Sequence, residues 1–268
     1  MVLASTFNTE LVYDMGEAYG HQSVLFNLGG TYAPAMNLHR SPYGGRNFEY
    51  FSEDGLLSGE IGGSQVAGIQ STGTSVFIKH FAINDSDTNR QGVNTWASEQ
   101  AIREIYALPF EISVKKYDAD GIMGAMNRIG TAWAHYGFHT TMVRHDWGFA
   151  GFMITDGDGD FGDTYNSSSF FQLGAEGAML HVGLYVNDPQ ITAIFGTGAT
   201  ETNYGQYKLH QTMKHALYQY AHSGQIEGVL AWWWVWIWVV QNVVFLGIIA
   251  LIIIFKVVPA LKGKTKEQ

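Results

Sequence analysis

Gly45-Arg46-Asn47-Phe48-Glu49-Tyr50-Phe51-Ser52-Glu53-Asp54, followed by Ser75-Val76-Phe77-Ile78-Lys79-His80-Phe81 and then by Gly151-Phe152-Met153-Ile154-Thr155-Asp156, decides how this chain folds. The second and third runs share one design. A short apolar stretch, the right length for a buried strand, stops abruptly at charged side chains. A parallel β/α fold produces that pattern, because its strands are covered along their length and surface at one end, where the loops gather reactive groups.

Working outward, the rest of the chain alternates in the same way. Thr9 to Asn27 carries Leu11, Val12, Met15, Ala18 and Tyr19 at helical spacing, and Tyr32 to Leu38 is a short extended run ending in His39-Arg40. Ser58 to Gln70 reads as a helix, Ser75 to Phe81 as a strand, Ala97 to Lys116 as a long amphipathic helix and Gly121 to Met126 as a strand. Thr140 to His145 is a short helix, Phe152 to Thr155 a buried strand, Gly177 to His181 another strand, and Tyr207 to His222 a helix. Strand and helix in turn give the α/β class, and polar residues ending every strand favour a (β/α)8 TIM-type barrel over a doubly wound sheet. Only about five strands are found where a closed barrel of this kind has eight, so the barrel is expected to be incomplete.

Composition narrows the partners. The 268 residues are 46% hydrophobic, enough to bury a large core. A net charge of −9 with only 15 Lys and Arg argues against a nucleic-acid partner, since phosphate binding needs clustered cations. With no cysteine there is no disulfide, thiolate nucleophile or thiolate metal site. No His-Glu-x-x-His spacing occurs among the histidines, so no metal is expected. Asp156-Gly157-Asp158-Gly159-Asp160 opens like a calcium loop but has Phe161 where glycine is required and Ser167 where a bidentate Glu belongs.

The two ends carry their own expectations. Val229 to Phe255 holds no charged residue, and Trp232, Trp233, Trp234, Trp236 and Trp238 crowd its start. About 20 such residues span the ~30 Å of hydrocarbon in a bilayer, so residues 226–255 are read as a single transmembrane helix with the lipid bilayer as partner. Lys256, Lys262, Lys264 and Lys266 then make 256–268 a basic cytoplasmic tail and place the domain 1–225 outside, on the cell membrane. At the other end, Met1 to Asn8 has neither a basic segment nor an apolar one of secretion-signal length, so the chain looks cut there.

Taken together, Gly-Arg-Asn-Phe-Glu around Arg46, Lys79-His80-Phe81-Ala82-Ile83-Asn84-Asp85, Thr88-Asn89-Arg90, Asn127-Arg128-Ile129-Gly130 and the Gly-Phe-Met-Ile-Thr-Asp run resemble the barrel domain of glycoside hydrolase family 3, the β-glucosidase and β-xylosidase group. The resemblance covers about Leu3 to Gln225. It implies a retaining glycosidase acting on a terminal β-linked sugar of a glycoside or oligosaccharide, without cofactor. Asp156 matches the family's catalytic nucleophile. Arg46, Lys79, His80 and Arg90 match residues that hold the sugar, while Glu49 and Glu53 are expected to anchor neighbours.

The departures from the family pattern are as specific as the matches. Gly157 follows Asp156 where the family commonly has a tryptophan platform, and Met126 stands where an aromatic residue lies near the nucleophile, so a thioether is expected against the substrate. The resemblance also implies that the first strands of the barrel, with a substrate-binding aspartate, and a sandwich domain carrying the acid/base lie outside this chain. The alternative expectation is a membrane-anchored, non-catalytic carbohydrate-binding module built on Arg46, Lys79, His80 and Arg90.

Overall fold

The computed structural model describes residues 2–90, 92–134, 139–154, 156, 178–179, 203–224 and 232–257. The chain divides into two units, Met1–Gly224 and Gln225–Gln268.

The first unit opens with α1 (Thr9–Leu25), started by Asn8, whose side chain accepts the Leu11 amide at 3.0 Å. β1 (Gly30–Thr31) follows, then a long loop, then α2 (Gly55–Gln70), capped by Asp54 on the Leu57 amide at 2.6 Å. β2 (Ser75–Val76) and β3 (Ile78–Phe81) form one interrupted strand. β4 (Asn94–Thr95) lies in the next loop and leads to α3 (Glu99–Ala101) and α4 (Leu108–Lys115). After β5 (Gly121–Gly124) come β6 (Arg128–Ile129) and β7 (Ala132–Trp133), an antiparallel pair in which β6 also runs parallel to β4. β8 (Phe152–Ile154), β9 (Ala178–Met179) and α5 (Asn203–His222) complete the described part of the unit.

β1, β2, β3, β5, β8 and β9 are parallel to their neighbours, while β4, β6 and β7 form a small sheet of their own. β1 pairs with β2, Ala35 bridges to Lys79, and β3, β5, β8 and β9 follow side by side. The strands of this barrel-like wall share a single direction, so each of them delivers its C-terminal end to the same rim. Phe81, Phe110 and Trp147 pack edge to face behind it, at centroid distances of 5.2 and 5.5 Å. At the opposite rim buried Asp120 accepts the Val76 amide at 2.9 Å, and its own amide donates to Gln70 at 2.9 Å, tying β2, β5 and α2 together.

Two expectations change. The single helix read over Ala97 to Lys116 is broken, because Pro109 has no N–H to give to the preceding turn; Ile102–Tyr106 widens into a π turn closed by Ala107 N–H to Ile102 at 2.8 Å. The single transmembrane helix read over residues 226–255 as a membrane anchor is also corrected. Residues Trp232–Ile252 are helical (α6), but among the described residues no helix is long and apolar enough to cross a membrane. Absence of charge is not the same as apolarity: five indoles, each with an N–H, fill the first turns, and Gln241 and Asn242 put two amides in the middle. Lys262, Lys264 and Lys266 lie outside the described residues.

Candidate active site

The loop after β1 and the loop after β3 pack together at the C-terminal rim. Asn37 holds β3 in place by a reciprocal pair, accepting the His80 amide at 2.8 Å and donating to the His80 carbonyl at 3.0 Å. Buried Tyr50 donates to the Asn84 carbonyl at 2.7 Å, and the Asp87 amide donates to the Gly44 carbonyl at 2.9 Å. Gly45 sits at φ +87°, and a Cβ there would meet Asp87 Cβ at 3.1 Å, so the turn that presents Arg46 needs glycine on both counts.

That packing assembles a chain of alternating charge. Lys79 Nζ lies 3.2 Å from Glu49 Oε2, and Glu49 Oε1 accepts from Arg46 Nε at 2.5 Å. Arg46 reaches Asp87 Oδ1 at 3.9 Å, and the same oxygen is 3.1 Å from Arg90. Arg90 also points a guanidinium nitrogen at the Met126 sulfur, 3.7 Å away. Arg46 meets His80 Nε2 at 3.1 Å, and that ring nitrogen is 3.6 Å from Asp156 Oδ2. Asp156 follows β8, Met126 follows β5, and Lys79 and His80 belong to β3, so parallel neighbours bring them together.

Burial sets the electrostatics. The His80 ring is held well below its ordinary value by desolvation, and then by the charges of Arg46, Lys79 and Arg90, so it is neutral at physiological pH. A neutral imidazole has one N–H. Nε2 either accepts from Arg46 or donates toward Asp156, and these two residues compete for one atom. Asp85, which was no candidate in the sequence, accepts the Leu38 amide at 2.8 Å and is pushed up to about 6 by burial, against the opposing pull of that hydrogen bond and of Arg40.

Every site residue read from the sequence therefore falls on one connected cluster: Asp156, Arg46, Lys79, His80, Arg90 and Met126. Glu49 anchors two of the cations, as expected, whereas Glu53 is exposed beside the α2 cap and has no such place. Asp87 was missed. Its only sequence signal is the three-residue spacing to Arg90; its contact with Arg46 crosses between loops. Residues 157–177, including Gly157, Asp158 and the would-be calcium loop, lie outside the described residues.

Among the described residues, a cavity lies at each end of the strands. One of about 350 Å³ opens among Arg40, Asp85, Arg90 and Asn127, next to the cluster. A larger one, about 650 Å³, lies at the opposite ends of the strands among Gln70, Asp118, Asp120 and Gly151. Size favours the second, but Arg90 of the charged cluster lines the first and no member of the cluster lines the second, and chemistry decides over volume.

Residues 1–169 match the glycosyl hydrolase family 3 N-terminal domain. A β-glucosidase of Ruminococcus albus is 39% identical over 157 residues, 58% of this chain and 17% of that protein; β-glucosidase A of Butyrivibrio fibrisolvens is 40% identical over 166 residues, 61% and 20%. The chain thus spans about a fifth of the length of these curated relatives. The structure of β-glucosidase 3B from Thermotoga neapolitana in complex with glycerol superposes with a TM-score of 0.71 at 33% identity, over 84% of this chain and 32% of that one. With the strands, the rim cluster and these matches in agreement, the chain belongs to glycosyl hydrolase family 3 and carries the fold of its N-terminal, barrel-like domain.

Proposed function

We propose that this chain provides the sugar-binding and nucleophilic half of a retaining β-glycosidase, with Asp156 as the nucleophile. The observation that carries the reading is the approach of His80 Nε2 to Asp156 Oδ2 at 3.6 Å, with Arg46 3.1 Å from the same ring nitrogen and joined through Glu49 and Asp87 to Lys79 and Arg90. A retaining mechanism needs a carboxylate to attack the anomeric carbon, and Asp156 is the carboxylate of the cluster that approaches the imidazole. Lys79, Arg46, His80 and Arg90 would hold sugar hydroxyls through hydrogen bonds, most of them charge-assisted, and Met126 would present its thioether to the ring. The relatives' names give a β-linked glucoside as the substrate to try first. Protonation of the leaving group, the second half of the chemistry, is assigned to a carboxyl group outside this cluster.

The test does not depend on that carboxyl group. A 2-deoxy-2-fluoro-glucoside with a dinitrophenolate leaving group departs without general-acid help, so the nucleophile alone suffices to form the covalent intermediate. The expected result is one sugar adduct, found by mass spectrometry on the peptide bearing Asp156 and absent from Asp156→Asn. Binding of glucosides without an adduct would favour the alternative, a non-catalytic carbohydrate-binding module.

A further inference from the structure

Beyond holding a sugar, the rim cluster has an unusual charge balance. Among the described residues its cations are Lys79, Arg46 and Arg90, and its carboxylates are Glu49, Asp87 and Asp156. The adjoining Arg40 and Asp85 add one charge of each sign. Each carboxylate has a separate task. Asp156 approaches the imidazole, and Glu49 spends one oxygen on Lys79 and the other on Arg46. Asp87 alone serves two arginines from two different loops, 3.1 Å from Arg90 and 3.9 Å from Arg46, through a single oxygen.

Two guanidinium groups converging on one oxygen are the arrangement that recognises a carboxylate or a phosphate. Here Asp87 already occupies that position. We propose that Asp87 is a specificity-determining residue: by neutralising Arg46 and Arg90 from within the protein, it matches the site to an uncharged sugar and discriminates against sugars carrying a carboxylate or phosphate. Its side chain is 48% exposed, so the discrimination is partly screened by water and modest in size. The proposal rests on the reading of the cluster as a sugar site.

The experiment uses the full 268-residue chain and two probes of equal shape, methyl β-glucoside and methyl β-glucuronide, titrated by ligand-observed NMR. Wild type should bind the glucoside more tightly. In Asp87→Asn the glucuronide-to-glucoside affinity ratio should rise about fivefold at low ionic strength, the effect of one unit charge in a partly aqueous setting, and the rise should shrink by more than half in about 0.5 M salt. Asp87→Glu, which keeps the charge, should hold the wild-type ratio. An unchanged ratio in a folded Asp87→Asn, or a wild type that prefers the glucuronide, overturns the proposal alone. A wild type that melts cooperatively but binds neither probe overturns the sugar-site reading, and the proposal with it.

Discussion

The His80 ring nitrogen Nε2 stands 3.6 Å from Asp156 Oδ2, just beyond a hydrogen bond, with a guanidinium nitrogen of Arg46 3.1 Å from the same atom. Burial keeps the ring neutral, so the imidazole adds no positive charge beside the carboxylate. The ring therefore acts as a spacer with one polar edge, between Asp156 on one side and Arg46 on the other. His80 should accordingly show no imidazole titration around the ordinary 6.5 when followed by ring-proton NMR, because its folded value lies well below it. Folding then excludes a proton that the unfolded chain binds, so this group's contribution to stability is present above pH 6.5 and is lost as pH falls below it.

In the protein that carries this domain and turns over substrate, Asp156→Asn should lower kcat by several orders of magnitude, since an amide neither attacks the anomeric carbon nor balances oxocarbenium-like charge. Steady-state kinetics checks it. Near-normal turnover in Asp156→Asn, with loss in Asp87→Asn or Glu49→Gln, would move the nucleophile elsewhere.

Lys79→Ala should act more gently. Its ammonium, 3.2 Å from Glu49, would hold hydroxyls by bonds that tighten in the transition state, so about 2 to 4 kcal/mol is at stake, roughly 30- to 1000-fold in kcat/KM. A loss confined to KM would mean that the contact is equally strong before and during reaction.

Asp85 predicts a pH effect of opposite sign to that of His80. Its folded value of about 6 lies above the ordinary 3.8, so the folded chain holds a proton that the unfolded chain has released. Stability from this group is full below about pH 4 and falls as pH rises through 6. The two-unit gap corresponds to about 3 kcal/mol. Asp85→Asn keeps the Oδ1 acceptor for the Leu38 amide and cannot ionise, so its melting temperature should exceed wild type at pH 7 and converge with it near pH 4. Parallel melting curves at both pH values would show that water reaches the wild-type carboxylate.

Gly68→Ala tests the helix crossing. A Cβ at Gly68 would collide with the Tyr13 carbonyl and lie 2.9 Å from the Glu17 amide and 3.0 Å from Gly16 Cα, all backbone atoms of α1 that no rotamer can move. The expected loss is about 2 to 3 kcal/mol by denaturant unfolding, an overpacking penalty larger than the gain from replacing a helical glycine. A neutral effect would show that α1 is free to shift.

Much of this molecule was written in local pattern. Apolar runs ended by Lys79-His80 and Asp156 gave the parallel strands and their common rim, because a strand's period and its burial are properties of a few consecutive residues. The Asp54 cap and the Asn8 cap are likewise local. Other features depended on what lies across a gap. Pro109 broke a helix whose amphipathic spacing was sound, since spacing says nothing of a missing N–H. The uncharged run ending at Phe255 suggested a bilayer, yet Trp and paired amides made it less apolar than its lack of charge implied. Asp87 is the clearest case. Sequence links it to Arg90 three residues on, but its second partner, Arg46, is 41 positions earlier and comes within 3.9 Å only because the two rim loops pack against each other. Asp85 acquired its raised value in the same way, from being enclosed. The sequence determined which residues reach the rim; tertiary packing alone decided which charges face one another there, because Coulomb interaction and desolvation depend on distances in space and not along the chain.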